Sequence, residues 1–170
     1  MSLNLKPNLL IGHVLPGCFF LLLWLLAYNH WSITDLKNFF HEINATELVG
    51  IGIILLIAAF LFGEIFDSAR DGIIEYIFEK FTRKKIKWDI FFDPSPTMSE
   101  KLIKLEDNCF TWYVFNLNSA LSLIAGGIVT KIHMEQIGYK YIFSWIISIG
   151  ILFIDALVLR KELVTHSNKP

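Results

Sequence analysis

Charged residues are scarce in this sequence: 15 lysines and arginines and 16 aspartates and glutamates make up 18% of its 170 positions. A soluble domain of this size carries roughly a quarter charged residues. Cysteine is scarcer still, and Cys18 and Cys109 lack the spacing of a metal site or a disulfide framework. The formal net charge of −1 gives no general attraction to nucleic acid, so no direct nucleic-acid partner is predicted.

Apolar residues take the place of the missing charge, at 54% of the chain with a mean hydropathy of +0.52. Four apolar runs approach the roughly 20 residues that a helix needs to cross a hydrocarbon core about 30 Å thick. They occupy residues 9–28, 47–66, 112–130 and 141–159. The sequence therefore predicts one all-α membrane domain over residues 1–170: a polytopic integral membrane protein with four transmembrane helices, in contact with membrane lipid.

Basic residues set the predicted orientation. If both termini are cytoplasmic, 12 of the 15 lysines and arginines lie on the inside and three on the outside. This positive-inside bias predicts a multi-pass protein of the cell inner (plasma) membrane with both termini in the cytoplasm. Residues 67–110 then form a long cytoplasmic helical hairpin.

A basic cluster in that hairpin combines cations with an aromatic ring. Such a composition is typical of a segment that lies on an anionic leaflet, and a solvated charged turn is the alternative. The cluster consists of Arg83, Lys84, Lys85, Lys87 and Trp88.

The second apolar run continues into an acidic segment. At about 100° per residue, Glu64, Asp71 and Glu75 share one face of a helix, with Asp67 about 60° away. Apolar residues take the opposite face, among them Ile73 and Ile77.

Polar groups of all four helices converge at the predicted cytoplasmic end. Because ionisable groups in a bilayer normally face the bundle interior or water, a polar, partly hydrated vestibule is predicted there. Its candidate lining residues are His13, Glu64, Asp67, Asp71, Glu75, Asn116 and Asn118. In the alternative interpretation these groups satisfy one another: His13 with Asn116 or with a carbonyl freed by Pro16, Arg70 with a nearby acid, and Asp155 with Lys161 or Arg160.

Pairs of small residues four positions apart predict close helix packing. The pairs are Ala59 and Gly63, Ser122 and Gly126, and Ser144 and Ser148.

Three function classes fit these features. Rings of carboxylates from several copies would line a cation path, and a four-span chain without an inverted repeat needs a homo-oligomer for this. A membrane enzyme acting on phospholipid head groups is an alternative, although no familiar catalytic or nucleotide-binding motif is present. The third class is a passive anchor for a cytosolic protein partner. No cofactor, no metal and no catalytic residue is predicted.

The C-terminal segment carries an arginine and a histidine with five residues between them, Arg160 and His166. This spacing resembles the Arg-x(4–6)-His signature of the HEPN ribonuclease superfamily. A divergent version of it is attributed to the small membrane accessory protein of type VI-B CRISPR systems. The resemblance implies a membrane accessory, pore-forming or sensing, that acts with a cytosolic antiviral complex in a prokaryotic defence or stress system.

The same two residues also have a structural interpretation. In it, Arg160 is a cation that ends the fourth helix and reaches toward the head groups, and His166 is a solvated tail residue.

Overall fold

The computed structural model describes residues 10–30, 32–82, 86, 109–133 and 139–167, and all regular secondary structure in these residues is helical. Much of the predicted cytoplasmic hairpin, including its basic cluster, lies outside the described residues. The helices are α1 (Leu15–Tyr28), α2 (Ile33–Glu42), α3 (Ala45–Ala69), α4 (Glu75–Thr82), α5 (Thr111–His133) and α6 (Tyr139–Ser167), with π-helical turns at Leu10–Val14 and Arg70–Ile74.

Four helical stretches are long and apolar enough to cross a membrane, as predicted. They are Ile11–Tyr28, Ala45–Thr82, Thr111–His133 and Tyr141–Thr165. The second stretch has 38 residues and spans about 57 Å at a rise of 1.5 Å per residue, so it is far longer than a hydrocarbon core needs. The prediction that Arg160 and Lys161 end the fourth helix is wrong, because α6 continues to Ser167.

Helix α5 lies in the middle of the bundle. It packs against α1 on one side and α6 on the other, and α1 packs in turn against α3. Half of the apolar window of α5 is buried, compared with 6% of the window of α6. The outer helices α3 and α6 therefore present long apolar faces to their surroundings.

The small-residue pairs divide between the bundle and its surface. Ala59, Gly63, Ser122 and Gly126 are buried where helices meet. The third predicted pair does not pack: Ser144 and Ser148 are exposed on α6, where the Ser148 hydroxyl donates a hydrogen bond to the Ser144 carbonyl. These two pairs thus allow close approach in the contacts of α1 with α3 and α5.

Helix α2 starts with a capping box. The Ser32 hydroxyl accepts a hydrogen bond from the Asp35 amide, and the Asp35 carboxylate accepts one from the Ser32 amide. The Ser32 hydroxyl also donates a hydrogen bond to the Asp35 carboxylate. This bond first, and then the one from the Ser32 amide, holds the pKa of Asp35 below its usual value. The cap explains why a short helix forms where the chain passes from α1 to α3.

The π turn Arg70–Ile74 divides the predicted acidic stripe. The buried residues of the second stretch are spaced three or four positions apart as far as Arg70: Ala59, Gly63, Phe66 and Arg70. The next buried residue, Glu75, follows after five positions, across the π turn. One extra residue in a helical turn rotates everything beyond it by about 100°. Glu75 is therefore buried, while Glu64 and Asp71 are exposed.

The same rotation changes the apolar face. Ile73 and Ile77, predicted opposite the acids, are 59% and 41% exposed. The single acidic face expected from a regular helix is thus wrong, because that expectation assumed 3.6 residues per turn throughout.

Deletion of Gly72 should be tolerated. Gly72 is exposed with open space around its Cα, and its removal leaves Glu75 four residues after Arg70, which a regular α-helix places on one face. The melting temperature in detergent should stay within a few degrees of the wild-type value.

Deletion of Ser68 is the matched control, because Ser68 is also exposed but lies in the regular part of α3. Its loss rotates buried Arg70 away from Asp67, and it should lower the melting temperature by about 10 °C or more. Equal effects of the two deletions would show that the π turn is not a removable insertion.

Candidate functional site at one end of the helix bundle

The first polar cluster, here called the Arg70 cluster, joins the π turn before α1, the end of α3 with the π turn that follows it, and α5. The Arg70 side chain is only 4% exposed, and its guanidinium nitrogens lie 2.5 Å from Asp67 Oδ1 and 2.7 Å from Asp71 Oδ1. Its Nε also donates a hydrogen bond to Asp71. The prediction that Arg70 pairs with a nearby acid is confirmed, and one buried cation pairs with two carboxylates.

Asn118 connects this cluster to α1. Pro16 has no N–H to donate to the carbonyl of Gly12, four residues earlier. The buried Asn118 side chain supplies the missing donor, with its Nδ2 2.9 Å from the Gly12 oxygen and 3.1 Å from Asp67 Oδ1. The proline thus creates an acceptor, and an asparagine from another helix satisfies it.

His13 faces Glu64 at the edge of the same cluster. Its Nδ1 lies 3.2 Å from Glu64 Oε1, although the two atoms lack hydrogen-bonding geometry. The predicted partners, Asn116 or a freed carbonyl, are wrong. The reason is the tight packing of α1 on α3: the backbone of His13 lies directly against Gly63, which brings Glu64, the next residue, to the imidazole.

The second polar cluster, here called the Arg160 cluster, joins α4, α5 and α6. Arg160 Nε and a terminal nitrogen lie 3.3 and 3.2 Å from Glu75 Oε2, and the other terminal nitrogen lies 3.4 Å from Thr82 Oγ1. The Tyr113 hydroxyl donates to Glu75 Oε1. The guanidinium carbon stands 5.1 Å from the centre of the Phe78 ring.

Apolar residues surround the Arg160 cluster and keep water from it. Arg160, Glu75 and Tyr113 are 4%, 6% and 0% exposed. The surrounding core includes Phe78, Val114, Leu117, Ala156 and Leu163. Arg160 is therefore an internal ion-pair partner, and its interpretation as an end-of-helix cation is wrong.

Asp155 has a different partner from the one predicted. Its Oδ2 accepts a hydrogen bond of 2.6 Å from Asn116 on α5. Arg160 cannot reach Asp155, because five residues correspond to about 140° around a helix. Asn116 and Asp155 thus form a third polar contact, between α5 and α6.

Cys109 lies just before α5, where its thiol is 3.4 Å from Glu162 Oε2. Burial is the main cause of a raised pKa for this thiol, and the hydrogen bond to Glu162 and its negative charge raise it further. The thiol therefore stays protonated at neutral pH and donates to the carboxylate, which ties the start of α5 to the end of α6.

Apart from His13, the predicted vestibule residues divide into two sets. Asp67, Glu75, Asn116 and Asn118 are buried or half-buried and hydrogen-bonded inside the bundle, while Glu64 and Asp71 are 47% and 59% exposed at their side chains. Within the described residues, no group of three or more histidine, cysteine, aspartate or glutamate side chains is placed to hold a metal ion.

Two predicted sites lie outside what the structure describes. Arg83, Lys84, Lys85, Lys87 and Trp88 are among residues that are not described, and so is the side chain of His166, although α6 runs through position 166. The inward placement of Arg160 was missed at the sequence level. A signal for it exists: Ala156, Arg160 and Leu163 stand at helical spacing on one face, so the arginine interrupts an otherwise apolar line.

No protein-family model matches this sequence, and no curated protein and no solved structure matches it either.

Proposed function

We propose that the chain is a multi-pass membrane protein whose polar clusters lie at the cytoplasmic end. The exposed faces of α3 and α6 support insertion, because they carry residues such as Ile54, Leu61, Ile146 and Ile154 at 57–67% exposure. Contiguous apolar surface of this extent is not stable in water. The excess of lysine and arginine near the polar end supports a cytoplasmic location for both termini.

Aromatic residues at the opposite end support the same placement. Trp24 stacks on Tyr28 with ring centres 5.6 Å apart, and Tyr28 lies 5.8 Å from the ring of His133. Tryptophan and tyrosine favour the interface between hydrocarbon and water. This cluster, at the ends of α1 and α5, fits the non-cytoplasmic head-group level.

Within the membrane, we propose that several copies assemble around α3 to form a cation path. One observation carries this proposal: an exposed stripe of α3 changes from apolar to polar along its length. Ile57 and Leu61 are each 57% exposed, and Glu64, Ser68 and Asp71 continue the same face, also exposed. A lipid-facing carboxylate is costly, whereas a ring of carboxylates around a hydrated axis is the arrangement of cation channels.

The biological role that we propose for such an assembly is that of an accessory or effector in a prokaryotic defence or stress system, acting with a cytosolic partner. The spacing of Arg160 and His166 supports it only as a resemblance. RNA cleavage is not part of the proposal, because Arg160 is buried against Glu75 and Tyr113.

Reconstituted vesicles test the pore. The purified protein should release entrapped cations, and Glu64→Gln combined with Asp71→Asn should reduce that release several-fold, since it removes both carboxylates of the stripe. Glu47→Gln is the matched control: Glu47 is an exposed acid in the first turn of α3, about 100° around the helix from Glu64. It should leave the release unchanged.

The particle mass in mild detergent provides an independent check. An oligomer is expected. A strictly monomeric particle that releases no ions would overturn the pore and favour a passive anchor for a cytosolic partner.

A further inference from the structure

An apolar groove runs between α5 and α6, in the half of the bundle away from the polar clusters. It has a volume of about 440 Å³, and its walls include Leu123, Ile128, Ile142 and Ile149. Gly127 lies 3.3–3.5 Å from the ring of Trp145, measured from the position that a Cβ would take, so the indole rests directly on α5 and forms the floor.

One charged residue stands at the end of this groove. Of the ten described residues that line it, Lys131 alone carries a charge, and its side chain is exposed. It lies in the last turn of α5, at the same end as the Tyr28–His133 contact. The groove therefore combines an apolar channel with a cation at its head-group end.

The length of the groove matches one leaflet. From Leu123 to Lys131 the wall rises about 12 Å along α5, close to half of the roughly 30 Å hydrocarbon thickness. In a bilayer leaflet the acyl chain of a lipid spans this depth, and the phosphate of its head group lies at the level that Lys131 takes here. An apolar helix from a second copy is the alternative occupant, and the experiment below separates the two.

We propose that the groove binds one anionic glycerophospholipid, with an acyl chain along Trp145 and its phosphate against Lys131. The inference rests on the proposed membrane insertion but not on the pore. It assigns to the non-cytoplasmic half of the bundle a lipid site that is separate from the Arg70 and Arg160 clusters.

Native mass spectrometry of the detergent-purified full chain tests this site, with phosphatidylglycerol and phosphatidylcholine as the added lipids. The wild type should retain one phosphatidylglycerol in preference to phosphatidylcholine. Lys131→Gln should reduce bound phosphatidylglycerol at least threefold and remove the preference. Ile146→Trp places a large ring in the groove from a position 62% exposed, and it should reduce the binding of both lipids.

Two controls separate the groove from general lipid binding. Ile154→Trp adds the same ring at a position 64% exposed on α6 that does not line the groove, and Lys161→Gln removes an exposed charge at the other end of α6. Neither should change lipid retention. The proposal would be overturned if Lys131→Gln and Ile146→Trp both retained as much lipid as the wild type. It would also be overturned if the wild type were a dimer that Ile146→Trp converts to a monomer without any loss of bound lipid. If the protein retains the lipid but releases no ions from vesicles, the lipid site is supported and the proposed cation path is contradicted.

Discussion

Replacement of Arg160 by alanine should cost about 3–5 kcal/mol of stability, which is the usual effect of removing one partner from a buried ion pair. The carboxylate of Glu75 would remain inside an apolar core, and among the described residues only the Tyr113 hydroxyl would still donate to it. In a chain of this length the melting temperature in detergent should fall by roughly 10 °C or more. Size-exclusion chromatography coupled to thermal unfolding measures this.

The neighbouring lysine is the matched control. Lys161→Ala removes an exposed cation one residue away, and it should change the stability by no more than about 0.5 kcal/mol. If the two variants melt alike, the ion pair does not contribute to the fold.

A compensated variant distinguishes a broken ion pair from a damaged core. Arg160→Met with Glu75→Leu and Tyr113→Phe removes both members of the ion pair and the hydroxyl that donates to Glu75, while it preserves most of their volume. Because desolvation of ions offsets much of their attraction, apolar replacements of buried pairs are often neutral or stabilising. The triple variant should recover most of the stability that Arg160→Ala loses. If the triple variant is as unstable as Arg160→Ala, the loss of stability comes from disturbed core packing and not from the broken ion pair.

The sequence predicted the helices well because apolar length is a local property. Four runs of about 20 apolar residues require four long helices whatever their neighbours are. The sequence also predicted that Pro16 frees a carbonyl for which another helix must supply a donor. The structure shows that this donor is Asn118. These inferences depend only on what a residue can donate, accept or bury.

Partner choice was predicted poorly because it depends on register. The five-residue step from Arg70 to Glu75 is invisible to a periodicity of 3.6, so the acids were placed on one face when they lie on two. The same limit applies to Asp155, which was paired with a neighbour in sequence although its partner, Asn116, belongs to another helix. The position of each polar group along its helix was predictable, but the rotation that selects its partner was not.

The contact of α1 with α3 should fail when either of two glycines gains a methyl group. A Cβ on Gly17 would overlap the carbonyl of Ala59, and a Cβ on Gly63 would overlap the carbonyl of His13. Both obstacles are backbone atoms, which cannot rotate away as a side chain can. Gly17→Ala or Gly63→Ala should therefore lower stability by about 1–3 kcal/mol or more, measured as the melting temperature in detergent.

Two other glycines of α3 provide the controls. Gly50 and Gly52 have open space where a Cβ would stand, so Gly50→Ala and Gly52→Ala meet no obstacle. Because alanine favours a helix over glycine by up to about 1 kcal/mol, these variants should be neutral or slightly more stable. A loss of stability in all four variants would mean that helix propensity and not close packing decides the outcome.

The two glycine contacts belong to one antiparallel register, because Gly17 meets Ala59 about one helical turn from the meeting of His13 and Gly63. Once one methyl group has pushed the helices apart, the second meets less resistance. The double variant should thus lose clearly less stability than the sum of the single losses. Separation would also carry His13 away from Glu64, so the histidine resonances should lose their sensitivity to Glu64→Gln. Additive losses would show that the two glycines act at independent sites.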